Sequence, residues 1–298
     1  MLPTGLCAQL ACIWEATARK PGNVHRYCDF SDCGYVDFLV SAAAVAPVLE
    51  KAAERRIGAT VLAGVEATRR VVATNTNLGI LLLLAPLASV PRHKNLRAEL
   101  GHVLDNLDVE DARTVYQAIN LAMPGGLGRV AEQDIREQPT LTLRQVMALA
   151  AERDLVARQY VNGFREIFED GVPALQNGLA RLACLEDAII ACHLTLLSLH
   201  PDSLIARKRG VAEAQEASAR ARQVLATAWP YAKAGRAALS DFDAWLRAEG
   251  HSRNPGTTAD LVTACLFVLL REDTIPLPSQ IPWTPLTPPS LPQGGRVG

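Results

Sequence analysis

Strand-forming patterns are scarce in this chain of 298 residues. Aromatic residues make up only 5% of it, and runs in which β-branched and polar residues alternate are missing almost everywhere. Alanine and leucine dominate instead. The sequence therefore predicts an all-α fold, arranged as a single globular multi-helix bundle.

Excess charge and paired cysteines are also missing. The formal net charge is −1, so the chain lacks the global basic field that non-specific nucleic-acid binding requires, and any phosphate recognition must be local. The seven cysteines include no CxxC pair, which argues against a disulfide framework and a zinc ribbon. A reducing cytoplasm is the predicted location.

Common nucleotide, metal and membrane signatures are absent. There is no GxxxxGK[ST] loop, no GxGxxG after a strand and no HExxH, so P-loop, Rossmann and zinc-hydrolase sites are not expected. The longest apolar run, residues 80–90, is shorter than the roughly 20 residues that span a bilayer, and Pro86 interrupts it. We expect no membrane partner.

Helical patterns cover most of the chain up to residue 274. Helices are expected at residues 6–18, 36–55, 59–73, 78–89, 109–122, 142–169, 173–199, 204–228, 237–248 and 257–271. From Ile275 onward prolines are frequent and charge is almost absent before Arg296. We therefore predict a helical domain over 1–274 and a Pro-rich, non-globular tail over 275–298.

Three short segments place Asn, Gly or Pro where a helix should begin: residues 20–23 (KPGN), 75–79 (NTNLG) and 254–260 (NPGTTAD). The first four amides of a helix have no intrahelical partner and carry the positive end of its dipole, so they can receive phosphate oxygens. Each segment alone is better explained as a cap or a turn. Their combination favours a polyphosphate site.

A fourth segment, residues 202–210, begins with Asp202 and continues to the cations Arg207, Lys208 and Arg209. It fits a solvated helix face. It fits equally well a metal-binding or hydrogen-bonding aspartate next to arginines that clamp phosphate in fork geometry.

In this order, the segments resemble the triphosphoribosyl-dephospho-coenzyme A synthase family. The resemblance begins at Glu15, includes the three helix-start segments, Glu186 and residues 202–210, and covers roughly residues 6–272. It implies an all-helical transferase with ATP and dephospho-coenzyme A as partners. The implied reaction joins the ribose C1 of ATP to the 2′-hydroxyl of 3′-dephospho-coenzyme A, releases adenine and uses Mg²⁺. A homodimer is a further expectation.

The chain departs from the family pattern at two places. Asn77 and Leu78 stand where the family signature has His and Lys, and of the Asp-Met-Asp signature only its first carboxylate has a near equivalent, Asp32, while Gly34 takes the second position. The identity of the acceptor is therefore open. A ribosyl transferase acting on another acceptor is one alternative. The other is a non-catalytic nucleotide-binding protein whose long helices 142–169 and 173–199 pair with another subunit.

The resemblance and the residue types together assign candidate roles. Asp260, Asp32 and Glu15 are the catalytic candidates, and Asp202, Asp260 and Asp32 are the candidate metal ligands. The candidate substrate and phosphate contacts are Lys20, Asn23, Asn75, Asn77, Arg207, Arg209, Asn254, Gly256 and Thr257. Structural alternatives are that Glu15 faces solvent, Asn75 caps a helix and Asp260 closes a capping box with Thr257.

Overall fold

The computed structural model describes residues 1–122, 138–182, 184–275, 277 and 283. These residues form helices α1 (Thr4–Thr17), α2 (Tyr35–Glu50), α3 (Ile57–Arg69), α4 (Leu78–Ser89), α5 (Leu96–Asp105), α6 (Val109–Ala122), α7 (Leu143–Ala150), α8 (Leu155–Asn162), α9 (Val172–Arg181), α10 (Leu185–Leu199), α11 (Ser203–Arg209), α12 (Val211–Ala226), α13 (Lys233–Arg247) and α14 (Gly256–Arg271). A 3₁₀ turn (Ala52–Glu54) and a π-helix (Glu166–Gly171) complete the list. The described part contains no strand, only an isolated bridge between His25 and Cys28. The predicted all-α fold is confirmed.

Two helices form the centre of the bundle. In α14 every residue from Leu261 to Arg271 is buried, and in α4 every residue from Ile80 to Ala88 is buried. A helix that is apolar on all sides is stable only when other helices surround it. Helices α1, α3, α8 and α10 pack around this α4–α14 pair, which fixes the N-terminal ends of both central helices relative to each other.

Three predicted long helices are wrong, because each is broken into shorter ones. Region 142–169 divides at the α7–α8 turn and again at Gly163, whose φ of +73° is left-handed. Region 173–199 forms two helices, of which α9 ends at Arg181 and α10 begins at Leu185, and region 204–228 divides at Gly210, with a φ of +94°. Left-handed backbone suits glycine and ends a helix. The non-catalytic alternative loses the long paired helices on which it depended, and α5 was not predicted.

The segment 20–23 does not begin a helix, contrary to the prediction. It follows α1, which ends at Thr17, and the next helix begins only at Tyr35. Gly22 has a φ of +75°, and a Cβ there would lie 2.9 Å from Pro255 Cδ and 2.9 Å from Leu246 Cβ. The segment is therefore a tight turn pressed against the start of α14. The other two segments do begin helices, α4 at Leu78 and α14 at Gly256.

Two other predictions concern membrane-spanning segments and the C-terminal tail. Among the described helices none is by itself long and apolar enough to cross a membrane, although α10 and α11 pass that test as a pair bent by 56°. The Pro-rich tail lies outside the described residues apart from Ile275, Leu277 and Trp283. Trp283 packs against the main core and over the guanidinium of Arg26, 5.6 Å from the ring centroid.

Candidate active site

A cavity of about 1190 Å³ opens between the N-terminal ends of α4 and α14. It brings together most of the predicted site residues: Glu15, Asn23, Asp32, Asn75, Asn77, Arg207, Asn254, Gly256, Thr257 and Asp260. Three others, Lys20, Asp202 and Arg209, do not line it. Its size exceeds the roughly 300–1,000 Å³ of common small-molecule sites, so it has room for two substrates.

Asp260 lies at the inner end of this cavity, in the second turn of α14. A Cβ at position 79 would lie 2.7 Å from Asp260 Cγ, so the glycine at the start of α4 makes room for the carboxyl group. Within the described residues the Asp260 side chain accepts no hydrogen bond, and the cap of α14 comes from Asp202 instead, through the amide of Thr258. The predicted capping alternative for Asp260 is therefore wrong.

The environment of Asp260 favours its protonated form. Burial raises its pKa well above the usual value, and the nearby negative charges of Glu15, Asp202 and Asp154 raise it further. Strongly shifted carboxyl groups in a cleft are frequent at catalytic sites. Asp260 is thus a titratable group that faces the cavity without a protein partner in the described chain.

Glu15 and Lys20 form a buried ion pair beside Asp260. Lys20 Nζ lies 2.8 Å from Glu15 Oε1 and donates to the carbonyl oxygens of Glu15 at 2.5 Å and Ala18 at 3.3 Å. The Lys20 side chain is fully buried, and Glu15 is 4% exposed. Burial raises the pKa of Glu15, while the ammonium opposes that shift. The Lys20 ammonium has its hydrogen-bond partners within the protein and does not line the cavity, so its assignment as a phosphate contact is corrected. Glu15 is buried and does not face solvent.

The turn at 20–23 and the segment before α14 are joined by an amide pair. Asn23 Nδ2 donates to Asn254 Oδ1 at 2.6 Å, and Arg247 Nη2 donates to the Asn23 carbonyl at 2.7 Å. Asn23 is 5% exposed, lines the cavity, and its Oδ1 has no partner in the described structure. A buried polar atom without a partner at a cavity wall is a place where a ligand donor can bind.

Asp202 holds two helix starts together and is not available to a metal. Its Oδ1 accepts from the amides of Leu204 and Ile205, and its Oδ2 accepts from the amide and hydroxyl of Thr258. The side chain is fully buried. Ser203 Oγ also donates to Thr257 Oγ1 at 3.0 Å. These contacts overturn the metal assignment of Asp202: it caps α11 and α14, so the anion at these helix starts is the protein's own carboxylate.

The start of α4 retains unpaired amides at the cavity. Asn75 Oδ1 accepts from the Leu78 amide at 3.1 Å, so Asn75 caps this helix as well as lining the cavity. Asn77 Nδ2 donates to Thr68 Oγ1 at 2.8 Å. The amides of Gly79 and Ile80 have no partner in the described structure, and both residues line the cavity. This helix start keeps the properties of an anion site.

Further cations line the cavity: Lys208, which belongs to the predicted segment 202–210, and three that sequence reasoning missed, Arg69, Arg153 and Arg158. Within the described chain none of these four has an ion-pair partner, and Arg207 has only Asp154, at 3.8 Å. The predicted contact Arg209 instead pairs with Glu249 at 2.8 Å, outside the cavity, so its assignment is corrected. Arg69, Arg153 and Arg158 are far apart in the sequence, and the elements that carry them, α3, the α7–α8 turn and α8, meet only in the fold.

Asp32 lies on the same rim next to an aromatic pair. Its carboxylate is 59% exposed and approaches His251 Nε2 at 3.7 Å. The His251 ring lies 5.1 Å from the ring of Phe30, which also lines the cavity. Burial lowers the pKa of Lys208, and the charge of Asp32 opposes that change. Asp32 is therefore the most accessible of the predicted carboxylates.

The described residues contain no group of three or more His, Cys, Asp or Glu side chains that could hold a metal. Magnesium bound to nucleotides needs fewer, since one or two carboxylates plus phosphate oxygens and waters are usual. Asp32 fits that need because its oxygens are exposed and carry only the distant His251 contact. Asp260 fits it less well because a carboxyl group must lose its proton to bind a metal.

The described part of the chain is thus an all-helical protein in which a carboxyl group without a hydrogen-bond partner, free helix-start amides and cations without ion-pair partners meet at one large cavity. Residues 3–278 match the family of ATP:dephospho-CoA triphosphoribosyl transferases. The chain belongs to this family. The family membership inferred from the sequence segments is confirmed.

Curated relatives in Pseudomonas agree. A protein of Pseudomonas syringae pv. syringae, named "Probable 2-(5''-triphosphoribosyl)-3'-dephosphocoenzyme-A synthase", is 27% identical over 195 residues, which is 62% of each chain. A protein of the same name from Pseudomonas syringae pv. tomato is 32% identical over 42% of this chain and 45% of its own length. The chain thus aligns with less than two thirds of the length of these relatives.

A solved structure supports the same fold. The crystal structure of a candidate triphosphoribosyl-dephospho-CoA synthase from Archaeoglobus fulgidus superposes with a TM-score of 0.59 at 27% identity. The match covers 78% of this chain and 98% of that one. Its helical architecture is therefore shared over nearly its full length.

Proposed function

We propose that the cavity transfers the triphosphoribosyl group of ATP to the 2′-hydroxyl of 3′-dephospho-coenzyme A and releases adenine. Family membership gives the reaction class. The observation that carries the assignment to this cavity is the set of lining cations without carboxylate partners, opposite one partnerless carboxyl group. Such cations fit two polyphosphate substrates, and the carboxyl group fits the proton transfer.

Asp260 has the role of proton acceptor in this proposal. The acceptor oxygen bonds to ribose C1 as the bond from C1 to the adenine nitrogen breaks, so one proton leaves the hydroxyl and one proton is taken up by adenine. In its ionised form a carboxylate whose pKa is raised is a stronger base than one of ordinary pKa, so it accepts the hydroxyl proton more readily. The neighbouring Glu15–Lys20 pair is internally neutralised by its own contact.

The phosphates bind at the start of α4 and along the cationic rim. The amides of Gly79 and Ile80 and the guanidinium of Arg207 bind the triphosphate, and Asn23 Oδ1 accepts a hydrogen bond from substrate. Asp32 would hold Mg²⁺ together with phosphate oxygens. When bound, the ion supplies charge neutralisation and orients the triphosphate.

Adenine release tests the proposal. The protein is incubated with ATP, Mg²⁺ and dephospho-coenzyme A; free adenine is measured by chromatography, and the enlarged acceptor by mass spectrometry. Asp260→Asn should slow both products about 10²–10⁴-fold. The matched control Asp241→Asn, an exposed aspartate on α13 outside the cavity, should not. Absence of adenine and of the enlarged acceptor with the unmodified protein would refute the assignment.

A further inference from the structure

One part of the cavity lining is apolar. Helix α7 presents Leu143, Val146, Met147 and Ala150 to it, at the spacing of a single helix face. Helix α6 presents a second such face, made of Val115, Tyr116, Ile119 and Ala122. We call these eight residues the apolar wall. No charged residue of α6 or α7 lines the cavity in the described structure.

The described residues cover the apolar wall only in part. Ile119, Val146 and Ala150 keep intermediate exposure, although their neighbours on the same two helix faces are buried. An accessible apolar surface inside a cavity is favourable for a ligand that brings apolar groups to it, since burial of each methylene contributes to affinity. Met147 adds an adaptable side chain to this surface.

The wall continues directly into the charged part of the cavity. Arg153 follows Ala150 by three residues, so at most about 11 Å of chain separates the cation from the end of the wall. The next residue, Asp154, lies 3.8 Å from Arg207 Nη1 on α11. From α11 the contact of Ser203 with Thr257 leads to α14 and Asp260. These contacts connect the apolar wall to the cations and the cations to the carboxyl group.

This arrangement matches a ligand that has a nucleoside at one end, a pyrophosphate in the middle and an uncharged chain at the other. ATP has no uncharged chain, since phosphates, ribose and base make up the whole molecule. The acceptor of the proposed reaction does: its pyrophosphate connects adenosine to a neutral chain of two amides and a terminal thiol. We infer that the apolar wall binds this pantetheine arm, which makes it the part of the site that selects the acceptor. The inference rests on the proposed function.

Binding measurements test the wall independently of turnover. Titration calorimetry compares dephospho-coenzyme A with ADP, which has the same nucleoside and pyrophosphate but no arm. Val146→Glu places a charge on the wall at a partly exposed position and should weaken dephospho-coenzyme A binding at least about tenfold, with ADP binding unchanged. Ala148→Glu, on the exposed face of the same helix and outside the cavity, should change neither.

The outcomes separate this inference from the proposed function. Equal loss of ADP and dephospho-coenzyme A binding in Val146→Glu, or no loss of either, overturns the arm site. A selective loss supports it even when the unmodified protein releases no adenine, in which case the proposed reaction fails alone. Val146→Ala guards against misfolding: it removes two methyl groups from the wall and should give a smaller selective loss in a protein with unchanged circular dichroism.

Discussion

At the scale of single residues, Asp260 is a carboxyl group whose protonation differs between the folded and the unfolded chain. Its pKa is raised well above the usual value by burial and by the charges of Glu15, Asp202 and Asp154. The folded state therefore holds its proton more tightly than the unfolded state, where the pKa is about 3.9. The resulting contribution to stability is complete below that unfolded value and is lost as the pH rises through the raised folded pKa.

This linkage predicts a stability gain from a change that impairs the site. In ligand-free protein, Asp260→Asn should raise the free energy of unfolding relative to the unmodified chain, and the difference should grow between about pH 5 and about pH 8, by at most about 1.4 kcal/mol per pH unit. Urea unfolding at both pH values measures it. A difference that is the same at both, or one that Asp241→Asn reproduces, contradicts the burial of an ionisable Asp260.

Replacing Lys20 should lower the free energy of unfolding, in contrast to Asp260→Asn. Its ammonium is fully buried against Glu15, so Lys20→Met leaves an uncompensated buried carboxylate and should cost about 3–5 kcal/mol of stability. The double variant Lys20→Met with Glu15→Gln removes both charges and should recover much of that loss in urea unfolding. If the double variant is no more stable than Lys20→Met alone, the pair is not the reason that Lys20 is buried.

At the scale of elements, α4 and α14 meet with no room for a side chain at position 79. Gly79→Ala would bring a Cβ to 2.7 Å from Asp260 Cγ, so the carboxyl group must move. Since displacement by about 1 Å can cost about 10²-fold in rate, adenine release should fall by that order. The control Gly101→Ala, in α5 with no atom within 4 Å of the new Cβ, should keep the rate and gain about 0.5–1 kcal/mol of stability. Equal rates in both variants would show that Asp260 tolerates the shift.

The elements also show what local sequence can and cannot predict. The helix at 78–89 was predicted with its observed bounds, because its apolar run and the preceding Asn are local signals. The break between α7 and α8 was missed, although Asp154 caps α8 through the amides of Val156 and Ala157. The helical spacing of apolar residues continues across such a short turn, so that spacing alone does not reveal the break. The all-α class and the two helix starts at the cavity needed only local information.

The site residues likewise divide into those that local sequence predicts and those that it does not. Asp260, Asn75 and Asn254 were found because they belong to short segments with a recognisable helix-start pattern. Lys20 was misassigned because spacing cannot distinguish a charge that faces a ligand from one that turns back onto its own helix end. Arg69 and Arg153 were missed because α3 and the α7–α8 turn meet at the cavity only in the fold. Tertiary position decided each of these cases.

At the scale of the whole molecule, charge is nearly balanced but unevenly distributed. The net charge is −1, yet five cations line the cavity; carboxylates such as Asp32 and Glu152 line it too, but within the described chain only Arg207 has one within 4 Å, in the loose pair with Asp154. Cations that line one cavity repel each other, and this repulsion lowers the stability of the ligand-free protein. A polyanionic ligand relieves it. The fold should therefore gain more stability from ATP than from a nucleotide of lower charge.

This gain predicts a charge- and salt-dependent thermal shift. With MgATP at about 100 times its dissociation constant, the free energy of unfolding should rise by about 2.7 kcal/mol, and Tm by several degrees. AMP at the same concentration should give a clearly smaller shift. Because screening weakens charge pairs that water reaches, raising the salt from about 0.05 to about 0.5 M should shrink the ATP shift more than the AMP shift. Differential scanning fluorimetry measures both nucleotides at both salt concentrations. The variant Arg207→Gln should lose part of the ATP shift. Its control is Arg236→Gln, at an exposed position outside the cavity. Equal shifts for ATP and AMP at both salt concentrations would contradict a phosphate-binding role for the cationic rim.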